Sequence, residues 1–135
     1  MAHAIAAQMV AQGRMAIELA SCGIRAKAGA VTTADAVITL AQQGIAWQGT
    51  SQQLSTEDLM WADHVWVMTA EHLHFVQALA ANNPPQTLPQ IELLAGGDEV
   101  LDPLGLGLEI YQSLYFELVD LLPKRLAALS APLVA

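Results

Sequence analysis

HVWVMT, residues 64–69, is the stretch that decides the fold class of this 135-residue chain. Valine and aromatic side chains are enriched in β-strands because they fit a pleated, half-buried surface, so the stretch predicts a strand over His64–Thr69. Thr69 can cap a helix over Ala70–Ala81, since its hydroxyl can accept a bond from a free backbone N–H of the first turn. Gln90–Leu94 predicts a second strand. The order strand, helix, strand indicates a parallel crossover.

Working outward from this unit, hydrophobic spacing and helix caps predict the other elements. They are a helix from Ala2 that ends at Gly13, a strand over Met15–Ser21, a helix over Asp35–Gln43 capped by Thr33 and stopped by Gly44, a short helix that begins at Ser55-Thr56-Glu57-Asp58 and includes Trp61, and a long helix over Leu108–Leu129.

This order predicts an α/β fold with three layers, in which a parallel sheet is flanked by helices. We expect a single domain over residues 1–135, because no linker or repeat divides the sequence. A doubly wound domain normally opens with a strand that becomes central in the sheet, whereas this chain opens inside a helix. We therefore expect the first central strand to be missing and the domain to be truncated at its N-terminus.

Charge and cysteine content limit the partners and the compartment. The formal net charge is −8 with only 5 Lys and Arg, so the chain has little means of neutralising a nucleic acid or an anionic membrane. One cysteine cannot form an internal disulfide, and no apolar run is long enough to cross a membrane. We expect a cytoplasmic protein without nucleic-acid or membrane partners.

The loop after the last predicted strand contains Asp102-Pro103-Leu104-Gly105. Ligands of open parallel sheets bind at the carboxyl ends of the strands, which makes this loop the most informative one. It resembles the Asp-Pro general-acid loop of low-molecular-weight protein tyrosine phosphatases, which also precedes a long C-terminal helix.

Three further segments resemble the same family in the same order. They are Met1-Ala2-His3-Ala4, where the family usually has Met-Ala-Glu-Ala after its catalytic loop, then Ser21-Cys22-Gly23, where it has a Ser-Ala-Gly turn, and finally the stretch from Leu54 to Leu73.

The resemblance implies hydrolysis of phosphorylated protein side chains through a phosphocysteine, without a cofactor. A cysteine thiolate attacks phosphorus, an arginine six positions later binds the phosphoryl oxygens, and an aspartate protonates the leaving group. Asp102 matches the aspartate. Cys22 does not match the nucleophile, because position 28 is alanine and Arg25 is too close. We therefore expect an N-terminal strand and a Cys-x5-Arg loop to be lacking, and this chain to be inactive.

Several alternatives stay open. The chain could be a non-catalytic pseudophosphatase or binding module, or a fragment of a protein-arginine phosphatase or an arsenate reductase. Ser21 is either a former partner of the missing loop or a local backbone partner, and the histidines are not at metal-ligand spacing. Substrate-binding residues are not identified. A missing strand would leave an exposed slot in the sheet, through which we expect self-association.

Overall fold

The structure is a computed structural model that describes residues 1–25, 33–47, 49–82 and 89–129. Its elements are α1 (Ala2–Gly13), α2 (Ala34–Gln42), α3 (Thr56–Trp61), β1 (His64–Val67), α4 (Ala70–Asn82), β2 (Gln90–Leu93) and α5 (Leu108–Leu129). The chain forms two compact units. Unit 1 comprises Met1–Ser21, Gly29–Ser51 and Pro103–Ala135, and unit 2 comprises Cys22–Ala28 and Gln52–Asp102.

Unit 2 is built on a parallel ladder in which His64 of β1 lies opposite Gln90 of β2 and Val67 lies opposite Leu93. Because side chains alternate along a strand, Val65 and Val67 project to the same face. Both belong to a cluster formed with residues of α3, of α4 and of the segment before α3. The α/β class and the parallel strand–helix–strand unit predicted from the sequence are therefore confirmed.

The short helix α3 is fixed at its start by a capping box. The Ser55 hydroxyl accepts a bond from the Asp58 backbone N–H, and the Asp58 carboxylate accepts one from the Ser55 backbone N–H at 2.9 Å. Each side chain satisfies a donor that the helix leaves free. Leu59, only 1% exposed, then anchors the helix in the core, as the predicted cap and apolar position require.

Unit 1 contains α1, α2 and α5, and both shorter helices pack against α5. The buried stripe of α5 includes Leu118, Leu122 and Leu126, which repeat every four residues and are at most 2% exposed. This spacing is that of one helix face. Leu114 and Leu121 of the same helix are half-buried.

The predicted strand over Met15–Ser21 is wrong. These residues belong to no ladder, and the nearest pairing is an isolated parallel bridge between Gly23 and Gln53. Burial nevertheless alternates as it would in a strand, with Met15, Ile17 and Leu19 half-buried and the residues between them exposed. A strand needs a hydrogen-bonded neighbour, and no such neighbour exists among the described residues. The sheet therefore has two strands there, where the sequence had predicted three.

Thr33 marks the start of α2, but its hydroxyl does not cap the helix. No side-chain bond closes the first turn. The Thr33 hydroxyl instead donates to the Tyr111 hydroxyl at 3.1 Å, and Tyr111 is 5% exposed. A partner from another helix of unit 1 thus replaces the local bond that the sequence predicted.

Candidate active site

Asp102 is an exposed residue. The segment before it is attached to the carboxyl end of β1 by two backbone hydrogen bonds. The Leu94 N–H donates to the Val67 carbonyl at 2.8 Å, and the Val100 N–H donates to the Met68 carbonyl at 2.8 Å. Val100 is 3% exposed, so its side chain anchors this part of the segment in the core. Asp102 therefore leaves the sheet at the edge where parallel sheets bind their ligands.

Glu99, in the same segment before Asp102, forms a side-chain hydrogen bond to the start of α4. Its carboxylate accepts a bond from the backbone N–H of Ala70, the first residue of α4, at 2.7 Å. A negative charge at a helix N-terminus is favourable because the free N–H groups there carry partial positive charge. The sequence interpretation did not identify Glu99, and the separation of 29 residues from Ala70 gives no local signal.

Beyond Asp102 the chain turns into α5. Pro103 is buried, and its carbonyl accepts a bond from the Leu106 N–H at 3.0 Å. Gly105 and Gly107 have φ values of 79° and 95°, a region that disfavours any side chain. The Asp-Pro loop that the sequence singled out is therefore a tight, conformationally restricted turn.

Three leucines in this stretch are strongly exposed. Leu101 is 71% exposed, Leu104 is 63% exposed and Leu106 is 61% exposed. The side chains that flank the aspartate in the sequence thus offer aliphatic surface to the solvent.

Cys22 lies at the start of unit 2, beside the Gly23–Gln53 bridge. Partial burial raises the pKa of its thiol, and the nearby Asp58 carboxylate raises that pKa further. Both effects disfavour the thiolate, which is the reactive form of cysteine. This environment is opposite to that of a catalytic nucleophile and agrees with the sequence interpretation of Cys22 as a turn residue.

The Arg25 guanidinium forms an exposed ion pair with Glu71 of α4. The backbone between Cys22 and Arg25 is held by Gln53, whose side-chain amide donates to the Ile24 carbonyl at 2.8 Å. The structure therefore does not bring Cys22 and Arg25 together as a nucleophile and its anion clamp.

Ser21 has a partner in unit 1. Its hydroxyl lies 2.7 Å from Nδ1 of His3, and the His3 ring is tilted against Trp47 with their centroids 4.8 Å apart. Burial lowers the pKa of His3, and the positive amino group of Met1 lowers it further. Neither of the two open interpretations of Ser21 included this side-chain contact.

The described residues contain no group of three or more His, Cys, Asp or Glu side chains placed to hold a metal ion. In the same part of the chain, none of the helices combines the length and the apolar character that crossing a membrane requires.

Comparisons of the sequence and of the fold with known proteins point to the same family of phosphatases. The sequence model of the low molecular weight phosphotyrosine protein phosphatases matches residues 1–134. A curated protein-arginine phosphatase from Geobacillus stearothermophilus is 28% identical over 109 residues, which are 80% of this chain and 74% of the relative.

Solved structures show the same likeness. The YwlE arginine phosphatase from Geobacillus stearothermophilus superposes with a TM-score of 0.81 at 25% identity, over 96% of this chain and 83% of that one. A low-molecular-weight protein tyrosine phosphatase from T. tengcongensis gives a TM-score of 0.82 at 25% identity, over 94% of this chain and 88% of that one.

The raised thiol pKa predicts slow alkylation of Cys22. We expect Asp58→Asn to increase the iodoacetamide rate at pH 7.5 a few-fold, because it removes the second cause of the shift and leaves burial, the larger cause, in place. The rate can be followed by mass spectrometry. Ser55→Ala is the matched control, since it removes the cap hydroxyl and keeps the Asp58 charge. Equal rates for Asp58→Asn and the parent would contradict the electrostatic contribution.

The lowered pKa of His3 predicts acid-sensitive stability. The unfolded chain binds this proton more readily than the folded one, so the free energy of unfolding should fall as the pH drops below the ordinary histidine value of 6.5. Urea unfolding at pH 7.5 and 5.5 measures this fall. His3→Asn, which keeps a polar atom near Ser21 and cannot titrate, should reduce it, and an unchanged fall would contradict the assignment.

Proposed function

The chain belongs to the low-molecular-weight phosphotyrosine protein phosphatase family, and from this premise we propose that it provides the leaving-group side of a phosphatase site for phosphorylated protein side chains. Asp102 is the general acid in this proposal. The observation that carries it is the loop geometry, in which an exposed carboxylate follows directly after a segment bonded to the carboxyl end of β1.

The proposed chemistry assigns Asp102 two proton transfers. When a thiolate attacks phosphorus, the bond to the leaving atom breaks and that atom takes a proton from the Asp102 carboxyl group. The resulting carboxylate then accepts a proton from the water that attacks the phosphocysteine. The exposed position of Asp102 supports this role, because both the substrate and the water can reach it.

The nucleophilic side of the site is not supplied by the residues of this chain. It has one cysteine, and alanine stands where the Cys-x5-Arg pattern would need arginine. The raised pKa of the Cys22 thiol and the pairing of Arg25 with Glu71 support the same conclusion. We therefore propose that the chain alone does not turn over a phosphomonoester.

Phosphoarginine is the substrate class that we favour over phosphotyrosine. The curated relative is a protein-arginine phosphatase, and Leu101, the residue before Asp102, is 71% exposed. Aliphatic side chains can pack on the methylene stem of arginine, whereas a phenol ring gains additional attraction from aromatic neighbours. In this reaction the P–N bond would break and Asp102 would protonate the departing guanidinium nitrogen.

The proposed environment follows from charge and cysteine content. A net charge of −8 favours a protein substrate over a nucleic acid or an anionic membrane. The single free cysteine favours the reducing cytoplasm.

A graft tests the role of Asp102. The purified chain should give no turnover of p-nitrophenyl phosphate. Fusing a strand and a Cys-x5-Arg loop of the family type before Met1 should create activity. In this fusion, Asp102→Asn should lower kcat by about 100-fold or more, in the range of general-acid effects.

Asp98→Asn is the matched control in that fusion, because it removes a carboxylate from the same loop and should leave kcat within a few-fold of the parent. Turnover by the unfused chain that is abolished by Asp102→Asn would contradict the missing nucleophile. An active fusion that is insensitive to Asp102→Asn would contradict the general acid.

A second proposal is self-association, which would suit a binding module. In the described part of the chain β1 pairs only with β2. The register places the backbone groups of His64 and Trp66 on the edge of β1 that faces away from β2. An open strand edge is a template for pairing, so we propose that two copies associate through β1.

Proline at position 64 tests this edge. His64→Pro removes an N–H that points away from β2, and the first residue of a strand tolerates proline. We expect light scattering during size-exclusion chromatography to show dimers for the parent and for His64→Thr, and monomers for His64→Pro. Dimers that persist in the proline variant, or a monomeric parent at every concentration, would contradict the proposal.

A further inference from the structure

The segment that leads to Asp102 is attached to the β1–α4 junction by two consecutive residues. Glu99 accepts from the Ala70 N–H through its side chain at 2.7 Å. Val100 donates its backbone N–H to the Met68 carbonyl at 2.8 Å. Only Leu101 separates this double attachment from Asp102, so the Asp102 Cα lies within about 7 Å of the Val100 Cα.

The bond from Ala70 to Glu99 is separate from the local cap of α4. Thr69 already caps this helix, because its hydroxyl accepts from the His72 N–H at 3.2 Å. The Ala70 N–H is another donor that the helix itself cannot satisfy. Glu99 satisfies it with a charged acceptor, and charge-assisted bonds of this kind are stronger than neutral ones. The N-terminus of α4 thereby binds Glu99, three residues before Asp102.

The backbone bond from Val100 to Met68 holds the segment at a second point beside the Glu99 contact. Val100 is 3% exposed, whereas Glu99 and Leu101 on either side of it are exposed. The buried Val100 side chain anchors the segment in the core. The Glu99 carboxylate attaches it to the first residue of α4. Without the carboxylate, the segment would keep one backbone bond and lose its side-chain attachment.

We propose that Glu99 is a positioning residue for Asp102, which it holds at the carboxyl end of β1 by binding the N-terminus of α4. The inference rests on the proposed general-acid role of Asp102 for its catalytic meaning. The mechanical part, that Glu99 fixes the loop, is independent of that role.

Hydrogen exchange on the chain as it stands tests the mechanical part. In Glu99→Ala, the Ala70 and Val100 amides should exchange about tenfold faster or more, because their protecting contacts are lost or loosened. The Leu94 amide, which donates to Val67, should not change and reports that the sheet is intact. Glu99→Gln should recover much of the protection, since its amide oxygen can accept the same bond. Asp98→Ala removes a neighbouring charge and should leave all three amides unchanged.

Kinetics of the fusion enzyme test the catalytic part. Glu99→Ala should lower kcat and leave KM nearly unchanged, Glu99→Gln should restore most of kcat, and Glu99→Ala should add almost nothing to the Asp102→Asn variant. Such non-additivity is the signature of two residues that act as one unit.

The outcomes separate the two proposals. An inactive fusion, or one that does not depend on Asp102, overturns the proposed function and leaves the exchange experiment to decide whether Glu99 fixes the loop. Unchanged Val100 exchange in Glu99→Ala overturns the positioning role. An equal kcat loss from Glu99→Ala with and without the Asp102 carboxylate also overturns it.

Discussion

The parallel pairing of β1 with β2 is the constraint on which the rest of unit 2 depends. Its register sets Val65 and Val67 on the face that packs on α3 and α4. A slip of one residue would turn both valines to the opposite face. The same pairing brings the chain back to the carboxyl end of β1, where Val100 bonds to Met68 and α4 begins. The path to Asp102 therefore begins at the carboxyl end of this strand pair.

The predictions that succeeded depend on neighbours in the sequence, and those that failed depend on distant partners. HVWVMT and the Ser55–Asp58 capping box carry their own signals. The capping box formed as predicted, and the strand formed over His64–Val67, two residues shorter than predicted. Met15–Ser21 has the alternation of a strand, but a ladder needs a second strand that no local pattern supplies. The Thr33 hydroxyl found Tyr111, 78 residues away. Asp102, the proposed general acid, was singled out by its Asp-Pro motif, whereas the bond between Glu99 and Ala70 has no signal in the local sequence.

The two groups that sequence interpretation considered for chemistry, Asp102 and Cys22, have different neighbours. Asp102 follows a segment whose carboxylate, Glu99, lies at the positive end of a helix. Cys22 lies near a carboxylate and is partly buried, and both conditions keep its proton on sulfur. Arg25, the cation nearest to Cys22 in the sequence, is paired with Glu71. The surroundings of Cys22 therefore disfavour its thiolate form.

The capping box of α3 has an effect that reaches beyond the helix. Asp58 closes the first turn of α3 and also raises the pKa of the Cys22 thiol. Oxidation by peroxides proceeds through the thiolate. A carboxylate whose local role is structural therefore slows the conversion of the Cys22 thiol to sulfenic acid. Removing the Asp58 charge would therefore lower the resistance of the thiol to oxidation as well as the stability of α3.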